Sequence, residues 1–80
     1  MIHLWRIISI MERKDAAGRP VPFSLVYVKK GSGEKINIDN AVLTSSHHLG
    51  TVNIMILESG QVRKLILPLI IQFNNIETFL

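Results

Sequence analysis

The sequence predicts an all-β protein, a small antiparallel barrel or rolled sheet of SH3-like or Sm-like size with six to seven short strands. Three observations predict it. Short runs of isoleucine, valine and leucine recur along the chain, the composition that suits a pleated surface. Turn residues separate them at Gly31-Ser32-Gly33, Ser59-Gly60 and Asn74-Asn75. No run reads as a convincing helix. Eighty residues make one β domain, 1–80.

The first segment spans residues 2–13. If it is extended, Ile2, Leu4, Ile8 and Ile10 share one face, interrupted by Arg6, and His3, Trp5, Ile7, Ser9 and Met11 share the other. Its isoleucines favour strand, because a branched Cβ restricts rotamers in a helix; helix is the alternative. Residues 14–22, KDAAGRPVP, read as a loop punctuated by Asp15, Gly18 and two prolines. It is the longest polar connection, so it is one place where function could sit.

Residues 23–30, FSLVYVKK, form a strand, and residues 35–41 return with Ile36 and Ile38 on one face. Two registers are open. A Gly31-Ser32 loop sets Tyr27 against Ile36 and Leu25 against Ile38; a three-residue loop gives those partners to Val28 and Val26. Residues 44–50, TSSHHLG, read as a second loop.

The stretch that organises the chain is 51–73, TVNIMILESGQVRKLILPLIIQF. With Ser59-Gly60 as a two-residue loop, Leu57 faces Val62, Ile54 faces Leu65 and Val52 faces Leu67. Val52, Ile54, Ile56, Leu65 and Leu67 then share a core face, with Arg63 at its outer end. A one-residue slip would mix the faces, so burial selects against it. Pro68 has no N–H to give a ladder, so a bulge, a corner or a single helical turn is expected there. Asn74-Asn75 suits a tight hairpin that sets Phe73 opposite Ile76 and Ile71 opposite Thr78. The last strand is expected to be tied into the sheet.

Composition narrows the function classes. A chain this short buries only about 60% of its unfolded surface. It compensates with 48% hydrophobic residues. The absence of cysteine excludes disulfides and thiolate metal sites. A net charge of +3 permits contact with nucleic acid or an acidic surface without demanding it. The first residues, MIHLWRIISIM, lack a basic leader and a small-residue cleavage site. The longest apolar run, 65–71, is far below the roughly 18 residues of a membrane helix. A soluble protein is expected, cytoplasmic or virion-associated, with no membrane partner.

Few residues suggest chemistry. His47-His48 with His3 is the one conceivable metal cluster, but adjacent side chains on an extended backbone point apart. Ser45, Ser46, His47, His48 and Asp39 lack a nucleophile elbow and an oxyanion hole, so turn chemistry explains the serines better. Asp15, Glu34, Asp39, Glu58 and Glu77 are scattered at turns and strand ends. Gly31-Ser32-Gly33 lacks the Gly-Lys-Ser/Thr ending and following helix of a phosphate-binding loop. No enzyme, metal or cofactor is expected.

Two features carry more weight. Lys29, Lys30 and Lys35 cluster at one hairpin tip, and Arg63-Lys64 follow the central turn. With Trp5, Tyr27 and Phe73 as stacking rings they outline a nucleic-acid-binding small barrel. Yet acidic residues break up these charges, and cations at strand edges also guard against stray pairing. The second feature is the apolar excess. Trp5, Ile7 and Met11, Val26 and Val28, Met55 and Leu57, and Ile66 all fall on second faces. One small core does not easily bury them all, and leftover apolar surface marks a protein contact.

The runs PVPFSLVYVKK at 20–30 and IDNAVLTSSHH at 38–48 resemble short uncharacterised proteins of phages and mobile elements in gut bacteria. The likeness spans about half of the chain, holds no motif of known chemistry and implies a virion, prophage or mobile-element setting. The expectation is therefore a non-enzymatic structural or interaction module, a homo-oligomer or a partner of other protein subunits. Its alternative is a nucleic-acid-binding barrel using Lys29, Lys30, Lys35, Arg63 and Lys64.

Overall fold

A computed structural model describes residues 1–47 and 50–79, with the backbone alone at His47. Its elements are β1 (Ile2–His3), α1 (Leu4–Met11), β2 (Phe23–Val28), β3 (Lys35–His47), β4 (Thr51–Ile56) and β5 (Val62–Ile66). A 3-10 turn at Leu67–Leu69, β6 (Ile70–Phe73) and β7 (Ile76–Phe79) follow. All seven strands form one sheet in the order β1-β7-β6-β2-β3-β4-β5. With 54% of residues in strands and one short helix, the protein is all-β.

The wiring is a rolled meander. β2 to β5 run antiparallel, each beside the next. The 3-10 turn, with Pro68 inside it, swings the chain so that β6 returns to pair with β2. Of the bulge, corner or single helical turn expected at a proline with no N–H to give, the chain takes the helical turn. β7 then folds back on β6, and β1 adds to β7 in parallel.

The first segment departs from expectation. Residues 4–11 are helical, and only Ile2–His3 are extended. Leu4, Ile7 and Met11 stand three and four residues apart, on one helical stripe, and all are buried in the core. Helix costs each isoleucine at most about 0.7 kcal/mol of propensity. Burying each of the three apolar side chains contributes roughly 1.5–3 kcal/mol, so packing decides. His3 Nδ1 accepts the Trp5 N–H at 3.2 Å and starts the helix. Ile7 and Met11, expected on a surplus second face, are core residues instead.

The strand pairs confirm the face parity and refine the turns. β2 and β3 pair with Tyr27 opposite Ile36 and Leu25 opposite Ile38, the first of the two open registers. Glycines at positive φ, Gly31 at 95° and Gly33 at 73°, shape the tip. The β4–β5 hairpin pairs Val52 with Leu65 and Ile54 with Arg63, two residues away from the expected register. The reason is the loop. Ile56 N–H donates to Gln61 C=O at 2.8 Å and Gly60 N–H to Ile56 C=O at 2.7 Å, so the turn takes four residues rather than two. A two-residue shift preserves parity, and Val52, Ile54, Leu65 and Leu67 are buried together as expected.

β3 runs to His47, although 44–50 read as loop. Its Thr44 and Ser45 hydroxyls bond across the ladder to Asn53 of β4 instead of forming turns. Thr44 sits at a bulge between Leu43 and Ser45, and its Oγ1 donates to Asn53 C=O at 3.0 Å. Asn53 Nδ2 donates to Ser45 Oγ at 2.9 Å. His48 and Leu49, in the rest of that loop, lie outside the described residues. Opposite Phe23–Leu25 the register shifts by one residue between Ile38 and Ala41, and this bulge keeps both on the core side despite their odd spacing. Bulges of this kind help to roll the sheet around the core.

Candidate functional site: two sheet edges of opposite character

The sheet ends in β1 on one side and β5 on the other, and each edge borders a shallow groove. The β5 groove, about 350 Å³, has two walls. One is Val62–Ile66; the other is the end of β2 and the hairpin tip, Tyr27 to Lys30. Two strands, β3 and β4, lie between β2 and β5 in the sheet, so the roll brings β5 round to face β2 across an unclosed seam.

Four of the five basic residues singled out from the sequence meet in this seam: Lys29, Lys30, Arg63 and Lys64. Lys35 does not line it, and pairs with Val28 across the hairpin. Among the described residues no Asp or Glu lines the groove, and the Arg63 guanidinium donates to Gln61 Oε1 at 3.0 Å. Of the three proposed stacking rings only the half-buried Tyr27 is here. Trp5 is on α1, and Phe73 is sealed in the core against Phe23 at 5.3 Å.

The other edge is apolar. Met1, Ile2, Ile10, Ile76 and Phe79 line a groove of about 360 Å³ together with His3 and Arg6. Phe79 is held edge-on to the His3 ring at 5.1 Å and 90°. Trp5 on α1 is 64% exposed, Ile76 46% and Phe79 42%. Sequence reading found Trp5 but missed Ile76 and Phe79, because a four-residue strand at the end of the described chain shows no face pattern of its own.

The remaining candidates are structural or lie outside the described residues. Asp15 Oδ1 accepts the Ala17 and Arg19 N–H groups at 2.9 and 3.0 Å, so the 14–22 loop is an aspartate-organised turn. Ser45 bonds Asn53, as above. The His47–His48 pair cannot be placed, since His48 lies outside the described residues and only the backbone of His47 is described. Among the described residues no three His, Asp or Glu side chains gather, and no helix is long and apolar enough to cross a membrane. Comparison with protein-family models, curated proteins and solved structures found no match for this chain.

Proposed function

We propose that this protein is a non-enzymatic interaction module that associates with copies of itself. The observation that carries the reading is the exposed apolar surface at the β1–β7 end of the sheet: Met1, Ile76 and Phe79 are exposed around the groove, and Trp5, outside the groove's lining, is exposed on the helix that follows β1. Exposed aromatic and aliphatic groups gathered around a groove are the composition of an interface core. The resemblance of 20–30 and 38–48 to short phage and mobile-element proteins supports a virion or mobile-element assembly as its setting. Sedimentation equilibrium at micromolar concentration tests the reading. An oligomer that Trp5→Lys dissociates supports it; a wild-type monomer throughout that range overturns it.

A second reading, a nucleic-acid-binding small barrel, is favoured by one observation: the roll gathers Lys29, Lys30, Arg63 and Lys64 into one seam. Its signature is oligonucleotide binding whose logarithm falls linearly with the logarithm of salt concentration.

A further inference from the structure

We infer that the seam beside β5 takes up an extended acidic polypeptide segment from a partner protein, which adds to the sheet as an extra strand. The inference rests on the interaction-module reading and names a second, separate surface for it.

The backbone makes the first argument. Ile56 N–H donates to Gln61 C=O, and Leu67 N–H donates to Gly50 C=O. Those bonds mark Gln61, Arg63, Leu65 and Leu67 as the residues that turn their backbone groups toward β4. Val62, Lys64 and Ile66 therefore turn theirs away, toward the seam. β5 ends the sheet, so three N–H donors and three C=O acceptors stand in a row without a strand partner among the described residues. All of Val62–Ile66 line the groove, both parities alike, so the groove follows the strand's edge and not one of its faces.

Side chains state what kind of strand fits. Among the described residues four cations and no carboxylate line the seam. Val62 is 61% exposed and Ile66 37%, and Leu69 is half-buried at the corner. Val62, Lys64 and Ile66 share one face of β5, so the segment that matches carries a carboxylate opposite Lys64 and apolar residues two positions to either side, opposite Val62 and Ile66, with further carboxylates between them for Arg63, Lys29 and Lys30.

The rival occupants fit less well. A second copy of β5, paired antiparallel about its centre, would set Lys64 against Lys64 of that copy, and like charges directly opposite destabilise a pair. A nucleic acid offers acceptors to the cations, but no donors in register for the three carbonyls. It also finds a single half-buried ring where stacking needs an open aromatic surface.

The test is fluorescence anisotropy on the whole chain with a labelled Glu-Val-Glu-Glu-Glu-Val-Glu peptide, whose two valines flank the central glutamate at the spacing of Val62, Lys64 and Ile66. The same peptide N-methylated at alternate residues, a Lys-Val repeat and a single-stranded oligonucleotide are run beside it. Expected is binding of the acidic peptide, at least about tenfold weaker after N-methylation of the edge that faces β5, since each lost backbone bond removes a donor. Lys64→Pro is expected to abolish binding while Lys64→Ala only weakens it; the position's N–H already points outward, so the β4 ladder keeps its bonds. Circular dichroism checks that Lys64→Pro folds, and the N-methylated peptide on the wild type gives the same information if it does not. Equal binding of the methylated and plain peptides overturns the inference, as does binding of the oligonucleotide alone. Loss of peptide binding with self-association intact leaves the apolar-edge reading standing, so the two fail separately.

Discussion

The two ends of this sheet solve the same problem in opposite ways. Each is an edge strand with backbone groups to satisfy, and each could pair with a stray chain. At one end β1 is only two residues long and is followed at once by α1, so little bare backbone is left. What that end exposes is side chain: Trp5, Ile76 and Phe79. At the other end β5 leaves five residues of edge open, and its charges keep it from pairing with itself. An edge closed by shortening shows apolar surface that suits a broad contact. An edge guarded by charge shows backbone that suits one strand of the opposite sign. The comparison teaches that an apolar excess and a basic excess in one small chain need not share a surface.

The widest break in that comparison removes the element on which both ends depend. Phe73 lies 1% exposed in β6, between β2 and β7, and packs on Phe23. Phe73→Ala is expected to cost about 3–5 kcal/mol and to take both edges with it in a single urea transition. Two separate transitions would show that the ends fold as independent units.

The next effect separates the edges. Trp5→Lys is expected to weaken subunit association about thirtyfold, the scale of an interface hot spot, while folding stability stays within about 0.5 kcal/mol. Sedimentation and urea melts read the two quantities. A large loss of stability would assign Trp5 to its own subunit's packing instead. Lys29→Ala with Lys30→Ala is the mirror experiment. It is expected to leave association unchanged, and any oligonucleotide binding should lose about one to two units of salt slope.

How much of this was legible in the sequence depends on whether a signal was local. Parity survives errors of register, so the buried set Val52, Ile54, Leu65 and Leu67 was readable even though the turn proved two residues longer. Pro68 marked a break in the ladder, because a missing donor interrupts pairing in any fold, but the form of the break, a bulge, a corner or a helical turn, was left open. The first segment did not. Leu4, Ile7, Ile8 and Met11 carry a helical spacing, but the strand preference of isoleucine speaks louder in so short a run. The burial that overrides it comes from strands that lie between Phe23 and Phe73, well beyond the segment itself. The 44–50 loop was misread for a related reason: serine and threonine favour turns in isolation, and only β4 alongside gives Thr44 and Ser45 other partners. At the basic seam the residues were legible singly. Their meeting was not, since β5 reaches the end of β2 only through the roll of the whole sheet.

The smallest expected effect falls at the turn that carries β7 into the apolar edge. Asn74 and Asn75 both adopt positive φ, 50° and 66°, and the hairpin pairs Phe73 with Ile76 as the sequence predicts. The two asparagines are adjacent and alike in backbone, yet they differ in side chain. Asn74 Oδ1 accepts the Ser24 N–H at 3.0 Å, tying the turn to the start of β2, and Asn75 makes no such bond among the described contacts. Glycine tolerates positive φ at either position, so only the side chain's contribution is removed by substitution. Asn75→Gly is expected to change stability by less than about 0.5 kcal/mol. Asn74→Gly is expected to cost about 1 kcal/mol, because it leaves the Ser24 donor without its partner. Equal effects in urea melts would show that the tie to β2 contributes nothing, and that β7 is held in place by its ladder with β6 and by β1 alone.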